Sequence, residues 1–405
     1  MQKTATTSHT ANKGMEFEDL ISPIGIDKFV ERYWEQESLI LHRHEHSYYQ
    51  DILSMDVLDN ILDLPVVEKD RFRVVKHQKL VDQEKYLNKD GSVNLNKLYM
   101  LYADGFSVSL RRIDLHWSPI KQLCFNLRQT INHEVKANMY LTPKHSAAFN
   151  PHIDAHDVII LQIAGSKNWK LYDTIIETPL VDSPTPSLPP AALRNVREVT
   201  LNAGDFMYLP RGVPHEAYTT NNSSLHLTIG VFPLQWMDLL IKAINLQSHR
   251  DVNLRKALPL GYLNNADGVE EMNDRLQNIL DQTLKSIQGM NFRYFHESYR
   301  NEFMNKLAPL GNGHFSQLDK LELLSLSTVL RKRSGMVCSV QVLGSACRIL
   351  YNRNVIKGPA TLAPAMQFVA DIKHSFRVSD LPVGNDKHKL AIAAKMIRGG
   401  LLETA

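Results

Sequence analysis

Residues 150–171 read NPHIDAHDVIILQIAGSKNWKL, and this stretch decides what kind of core the chain builds. The segments DVIILQIAG and NWKLYD are short apolar runs broken at glycine, asparagine and aspartate, which is the texture of strands. The same texture extends outward from about residue 70 to 235, through ANMYLT, REVTLNAGDFMYLP and SLHLTIGVF. A β-rich domain is therefore expected there. Just ahead of the first run, four potential metal ligands fall within six positions: His152, Asp154, His156 and Asp157.

In an extended segment His152 and Asp154, two residues apart, point to the same side and can take adjacent positions on one metal. A third ligand must come from another strand. The segment AGDFMYLPRGVPHEAY (203–218) supplies His215, after a strand, a tight Ala-Gly-Asp turn and a second short strand. Two imidazoles and one carboxylate on one face of an octahedron leave three positions open, the arrangement of non-haem Fe(II) oxygenases. The alternating histidines of HRHEH (42–46) lack this context: they follow a helical segment and have no distal partner. Farther along the opening stretch, Lys167, Trp169 and Leu171 share one strand face, with Lys170 and Tyr172 on the other. Lys167 is thus expected to point inward, where a buried ammonium needs an anionic partner.

Together, the stretches 137–173 and 204–218 resemble the JmjC-type ribosomal oxygenases, cupin-like 2-oxoglutarate-dependent protein hydroxylases. The likeness is good over roughly residues 20–240 and looser beyond. The motifs run in order: N-x-Y-x-T-P at 138–143, H-x-D at 152–154, a basic residue at 167, and the glycine, aspartate, tyrosine, proline and histidine pattern ending at His215. The resemblance implies a double-stranded β-helix, or jelly roll, holding Fe(II) through His152, Asp154 and His215. It implies that Lys167 pairs with the distal carboxylate of 2-oxoglutarate and that Thr228, on the alternation His226/Thr228/Gly230, gives a hydroxyl to the same cosubstrate. Asn138 and Tyr140 match residues lining the opening where the target side chain enters. The position of His156 is not a ligand in the family; it is placed at the mouth of the pocket, against substrate. Asp157 is read as a structural acid. The chain departs from its eukaryotic relatives at Gly230, where they carry a serine that touches substrate, so the identity of the hydroxylated residue is left open.

The expected activity is hydroxylation of a protein side chain, a ribosomal protein being the family's usual target. A peptide natural product or a methyl-lysine is the alternative target, and a non-catalytic metal-binding cupin-like module is the alternative of another class. Expected boundaries are a disordered tail over 1–15, a catalytic jelly roll over 16–235, a helical dimerisation region over 236–310 and a winged-helix-like domain over 311–405, an α+β chain as a whole. Residues 16–60 read as mostly helical. The periodic run from 267 to 290 puts Val269, Met272, Leu276, Ile279, Leu284 and Ile287 on one face, with Asp267 and Glu270 as a capping box.

The 405-residue chain is long enough for two or three domains, and its three cysteines form no C-x-x-C pair. Disulfide stapling and a thiolate zinc site are excluded on that ground. With a polar N-terminus and no long apolar run, a cytoplasmic protein without a membrane segment is expected. Net charge is +3 overall, but 13 Lys/Arg face 5 Asp/Glu from Lys320 onward. That basic end is read as a protein-packing surface in preference to a nucleic-acid one, since no base-reading pattern accompanies it.

Overall fold

The structure is a computed structural model, and it describes residues 14–62, 71–76, 79–147, 149–181, 188–264, 269–308, 311 and 313–405. The expected N-terminal tail up to residue 13 and the capping residue Asp267 lie outside the described residues. The chain divides into two units, Met1–Pro233 with Leu310–Asn312, and Leu234–Pro309 with Gly313–Ala405.

Among the described residues of the first unit, ten strands join in one antiparallel system. They are β1 (Leu39–Leu41), β2 (Phe72–Lys76), β3 (Lys79–Leu80), β4 (Ser107–Arg111), β5 (Glu134–Thr142), β6 (Asp157–Leu171), β7 (Arg197–Asn202), β8 (Phe206–Leu209), β9 (His215–Tyr218) and β10 (Ser224–Phe232). The path runs β1-β8-β6-β10-β5-β4-β2-β3, with β7 and β9 both paired to the far half of β6.

DVIILQIAG and NWKLYD, expected as two strands, are a single long β6 that serves two sheets. Its first half, Val158–Leu161, pairs with β8 and β10, and its second half pairs with β7 and β9. The change of sheet happens at Gly165, whose φ is +67°. A Cβ there would lie 1.8 Å from the Ser223 carbonyl oxygen, so only glycine lets β10 approach. An irregularity in the β10 pairing between Leu225 and His226 accompanies the bend.

Strand alternation then sorts side chains into two cores. Val135, Ala137, Met139 and Leu141 of β5, Ile159, Leu161 and Ile163 of β6, and Leu225, Leu227, Ile229 and Val231 of β10 face one way. They pack against Ile120, Leu123 and Leu127 of the helix Ser118–Ile131 and against the N-terminal Phe17, Leu20 and Phe29. The other face closes on a smaller core of Val158, Ile160, Trp169, Leu171, Val199, Leu201, Met207 and Leu209, the interior of the jelly roll. Residues 16–60 are less helical than expected, with helix only at Phe17–Ile21, at Ile26–Arg32 and from Met55 onward. Leu39–Leu41 is a strand on β8, because an edge of the sheet is free to take an apolar tripeptide.

In the second unit, helices Trp236–Ser248, Val269–Gln288 and Phe292–Lys306 precede two three-stranded antiparallel sheets. β11 (Val329–Lys332) lies between β15 (Phe376–Arg377) and β16 (Leu402–Thr404). The other sheet holds β12 (Cys338–Leu343), β13 (Ala346–Tyr351) and β14 (Asn354–Pro359). Helices Ala363–Asp371 and Asp386–Arg398 pack into a shared core with Leu330, Ile349 and Leu402. All three cysteines are buried and free.

Candidate active site

The inner face of β10 carries Ser224, His226, Thr228, Gly230 and Phe232, because the residues between them fill the outer core. In register on β5 stand Thr142, Tyr140, Asn138, Lys136 and Glu134. The inner surface is therefore a ladder. Thr142 and Ser224 form one end, Tyr140 and His226 the next rung, Asn138 and Thr228 the third, and Lys136 and Gly230 the fourth.

The His152–Asp154 segment lies on a loop ahead of β6, and not on a strand as the two-residue spacing predicts. Backbone hydrogen bonds hold it in place instead. His152 N donates to His215 O (3.1 Å), His215 N donates to His152 O (2.9 Å), and Gly212 N donates to Asp154 O (3.1 Å). A single bridge to the strand bearing the third candidate ligand does what a shared strand would have done. His152, Asp154 and His215 each offer one ligand atom, and these atoms lie within 4.8 Å of one another. Among the described residues this is the one His/Cys/Asp/Glu group so arranged; the histidines of 42–46 form none. His42 Nδ1 donates to Asp205 Oδ2 (2.8 Å), which ties down the 203–205 turn.

The hydrogen bonds of both imidazoles fix which nitrogen is free. His152 Nδ1 lies 2.9 Å from the Asn150 carbonyl, and His215 Nδ1 lies 3.0 Å from that of Val213. A carbonyl only accepts, so each Nδ1 carries a proton, and Nε2 is the nitrogen left to face a metal. His215 Nε2 is 3.6 Å from Asp154 Oδ2. Burial, and next the neighbouring His152, pull His215 down to about 4, so it is a neutral ring near pH 7. At Asp154 burial pushes the carboxyl up, but His215, His156 and His152 together hold it below the ordinary carboxylate value. Two imidazoles and a carboxylate are the donor set a divalent metal takes, and they fit one here.

Lys167 is 4% exposed. Its Nζ donates to Thr142 Oγ1 (3.1 Å) and stands 5.8 Å from the Trp169 ring, with no carboxylate among the described residues at ion-pair distance. Burial alone draws it down to about 7. The inward orientation expected from the alternation is what the structure has, with Lys170 turned out toward Glu216 (3.9 Å). Thr228 lies on the inner face between Asn138 and Ile160. Asn138 and Tyr140 are on the same face, and Asn138 also accepts from Arg112 N (3.0 Å), closing the turn after β4. Burial pushes Tyr140 up to about 12, so its phenol stays protonated. Asp157 is wholly buried, accepting from Arg211 N (2.9 Å) and Arg211 Nη1 (3.2 Å). His156 lies outside the triad, stacked on Phe232 with centroids 4.6 Å apart.

One site residue went unread in the sequence. His226 is buried, stacked on Tyr140 (5.1 Å, 11°) and edge-on to Trp169 (5.7 Å), and its Nδ1 has no partner among the described residues. Burial, and then the charge of Lys167, hold it neutral, well below the usual histidine value. The alternation His226/Thr228/Gly230 was the available signal, since a polar residue among apolar neighbours on an inner face demands a reason.

Residues 115–239 match the JmjC domain family. The stretch so matched holds His152, Asp154 and His215, and the fold around it is of the cupin type, an antiparallel jelly roll. Within that class the chain is similar to Ribosomal oxygenase 1 of Bos taurus, 32% identical over 263 residues, covering 61% of this chain and 38% of that protein. It is also similar to the bifunctional lysine-specific demethylase and histidyl-hydroxylase NO66 of Dictyostelium discoideum, 32% identical over 260 residues, covering 60% of this chain and 49% of that one. The chain spans between about a third and a half of the length of such curated relatives. The fold of the Escherichia coli ribosomal oxygenase YcfD matches at a TM-score of 0.51 and 18% identity, over 94% of this chain and 98% of that one. The resemblance drawn from the motifs is borne out.

Proposed function

We propose that the chain is an Fe(II)- and 2-oxoglutarate-dependent oxygenase that hydroxylates a side chain of a protein, with a ribosomal protein as the target. One observation carries this: a two-histidine, one-carboxylate set opens onto the same interior as a buried lysine that has no counter-ion among the described residues. His152, Asp154 and His215 would hold the iron. When bound, iron and cosubstrate would supply the oxidation, in which 2-oxoglutarate and O2 would give succinate and CO2, with the remaining oxygen atom inserted into a C–H bond.

The chain's own residues orient and shield. Lys167, steadied by Thr142, pairs with the far carboxylate of the cosubstrate, and Thr228 offers it a hydroxyl. Val158, Ile160, Trp169 and Leu171 keep water from that end. Asn138 and Tyr140 line the path of the target. No side chain is needed as a general base, because the cosubstrate's decarboxylation drives the oxidation. The names of the relatives, a ribosomal oxygenase and a histidyl-hydroxylase, support a protein target. The lysine-specific demethylase in the second name keeps a methyl-lysine as the competing target.

For the rest of the chain we infer a catalytic domain over 16–235, a dimerisation region over 236–310 and a winged-helix-like domain over 311–405. The division at Pro233/Leu234 and the apolar residues left exposed on Val269–Gln288 support this. No helix among the described residues is long and apolar enough to cross a membrane, and the three free cysteines support a reducing, cytoplasmic setting.

The test is incubation of iron-loaded protein with a ribosomal-protein extract and 2-oxoglutarate, followed by mass spectrometry. One added oxygen on a defined residue is expected with the wild type and none with His152→Ala. Loss of a methyl group from lysine would favour the competing target, and no change in any protein would contradict the proposal.

A further inference from the structure

At the fourth rung from the Lys167 end, Gly230 and His156 occupy one space. A Cβ built on Gly230 would lie 2.6 Å from His156 Cδ2 and 2.8 Å from its Nε2. The backbone of Gly230 needs no glycine on its own account, since it is ordinary antiparallel strand paired on both sides. What excludes a side chain there is the ring. The imidazole lies over Gly230 and stacks on Phe232, two residues along the same face, at 4.6 Å and 10°. Phe232 is in turn covered by Lys136 Nζ, 4.2 Å from its centroid.

The ring is therefore clamped, yet no protein group among the described residues hydrogen-bonds either nitrogen, and the residue is only half-buried. It sits two positions from Asp154, on the triad's side of the ladder. Six residues of β5 separate Thr142, against Lys167, from Lys136, opposite Gly230, about 20 Å of strand. A cosubstrate anchored at Lys167 and a target entering past His156 would thus reach the triad from opposite ends.

We propose that His156 selects the target residue, its clamped imidazole hydrogen-bonding a polar group on the side chain to be oxidised, and that Gly230 is the seat that lets the ring stand there. This rests on the oxygenase reading above. The target so selected carries a hydrogen-bonding group on its side chain. An aliphatic side chain would leave the imidazole unpaired as water is expelled, and rejection on that ground is strong. Gly230 and His156 act as one specificity element, in which a side chain at 230 and a ring at 156 are mutually exclusive.

Oxygen-insertion sites are first mapped in a ribosomal-protein extract with wild-type protein, and a peptide is synthesised around the mapped residue. His156→Phe keeps the stacking and removes the hydrogen bond, and the peptide KM is expected to rise about tenfold or more. His156→Gln, which retains a hydrogen-bonding group, recovers part of that loss, a rescue that a purely structural role would not give. Gly230→Ser displaces the ring and raises KM comparably. His156→Ala with Gly230→Ser loses far less than the two single changes multiplied, because the two positions share one space. Peptide binding to the Mn(II)-loaded protein, followed by fluorescence anisotropy, gives the same ranking without turnover. A mapped site on an aliphatic residue, no mapped site, or an unchanged KM in His156→Phe overturns the proposal. If wild-type protein consumes no 2-oxoglutarate with Fe(II), the oxygenase reading itself fails, which separates the two outcomes.

Discussion

A buried ammonium without an anion is a standing cost that a binding partner can relieve. Because burial lowers the Lys167 pKa to about 7, the folded chain holds fewer protons there than the unfolded chain between that value and the ordinary lysine range. The destabilisation is therefore fully present below about pH 7 and fades as pH rises. Lys167→Met should raise the melting temperature by several degrees at pH 7 while raising the cosubstrate KM a hundredfold or more, a trade of function for stability. A carboxylate arriving beside Lys167 raises its pKa, so dicarboxylate binding at pH 8 takes up protons, and the uptake vanishes well below pH 7. Calorimetry in buffers of different ionisation enthalpy measures it, and pH-independent proton uptake would contradict the role. The meeting of His152, Asp154 and His215 was legible in the sequence through its motif, and the inward turn of Lys167 through strand alternation. His226 was not, since its significance lies in what it fails to touch: a buried Nδ1 with no partner among the described residues. The Gly230–His156 contact was likewise invisible, because it joins two segments that meet only in three dimensions.

β6 shows how much one element does. Its alternation reverses at the bend. Ile160 and Val158 face inward before it, and Lys167, Trp169 and Leu171 after it. Periodicity read on each half alone gives the right face, and this is why the orientation of Lys167 was recoverable while the joining of two expected strands into one was not. Gly165 permits the reversal. With φ at +67° and the Ser223 carbonyl 1.8 Å from any added Cβ, Gly165→Ala must move β10 and with it His226 and Thr228. A loss of about 3 kcal/mol or more is expected, measured as a fall in the denaturant midpoint. A loss under about 1 kcal/mol would mean that the bend does not depend on glycine. The loop holding His152 and Asp154 was misread as extended for a related reason. A single cross-strand bridge to His215 imposes the geometry of a strand without its length.

In the molecule as a whole, the apolar surface left on Val269–Gln288 asks for a cover. Leu276, Leu280 and Leu284 follow at four-residue spacing and are 51%, 43% and 56% exposed. One face of a helix carrying three such leucines is costly to leave in water, and a second copy is the cover we infer. Leu276→Asp with Leu284→Asp should convert a dimer to a monomer in sedimentation velocity, with the jelly roll's circular dichroism retained. A wild-type protein that is monomeric at high concentration would contradict the assignment. The central claim concerns the other unit and is tested most directly by the stoichiometry of cosubstrate turnover. Succinate formed per 2-oxoglutarate consumed, followed with and without Fe(II), is predicted to be one to one, to require the metal, and to disappear in His152→Ala. Turnover that persists without Fe(II), or survives in His152→Ala, would contradict it.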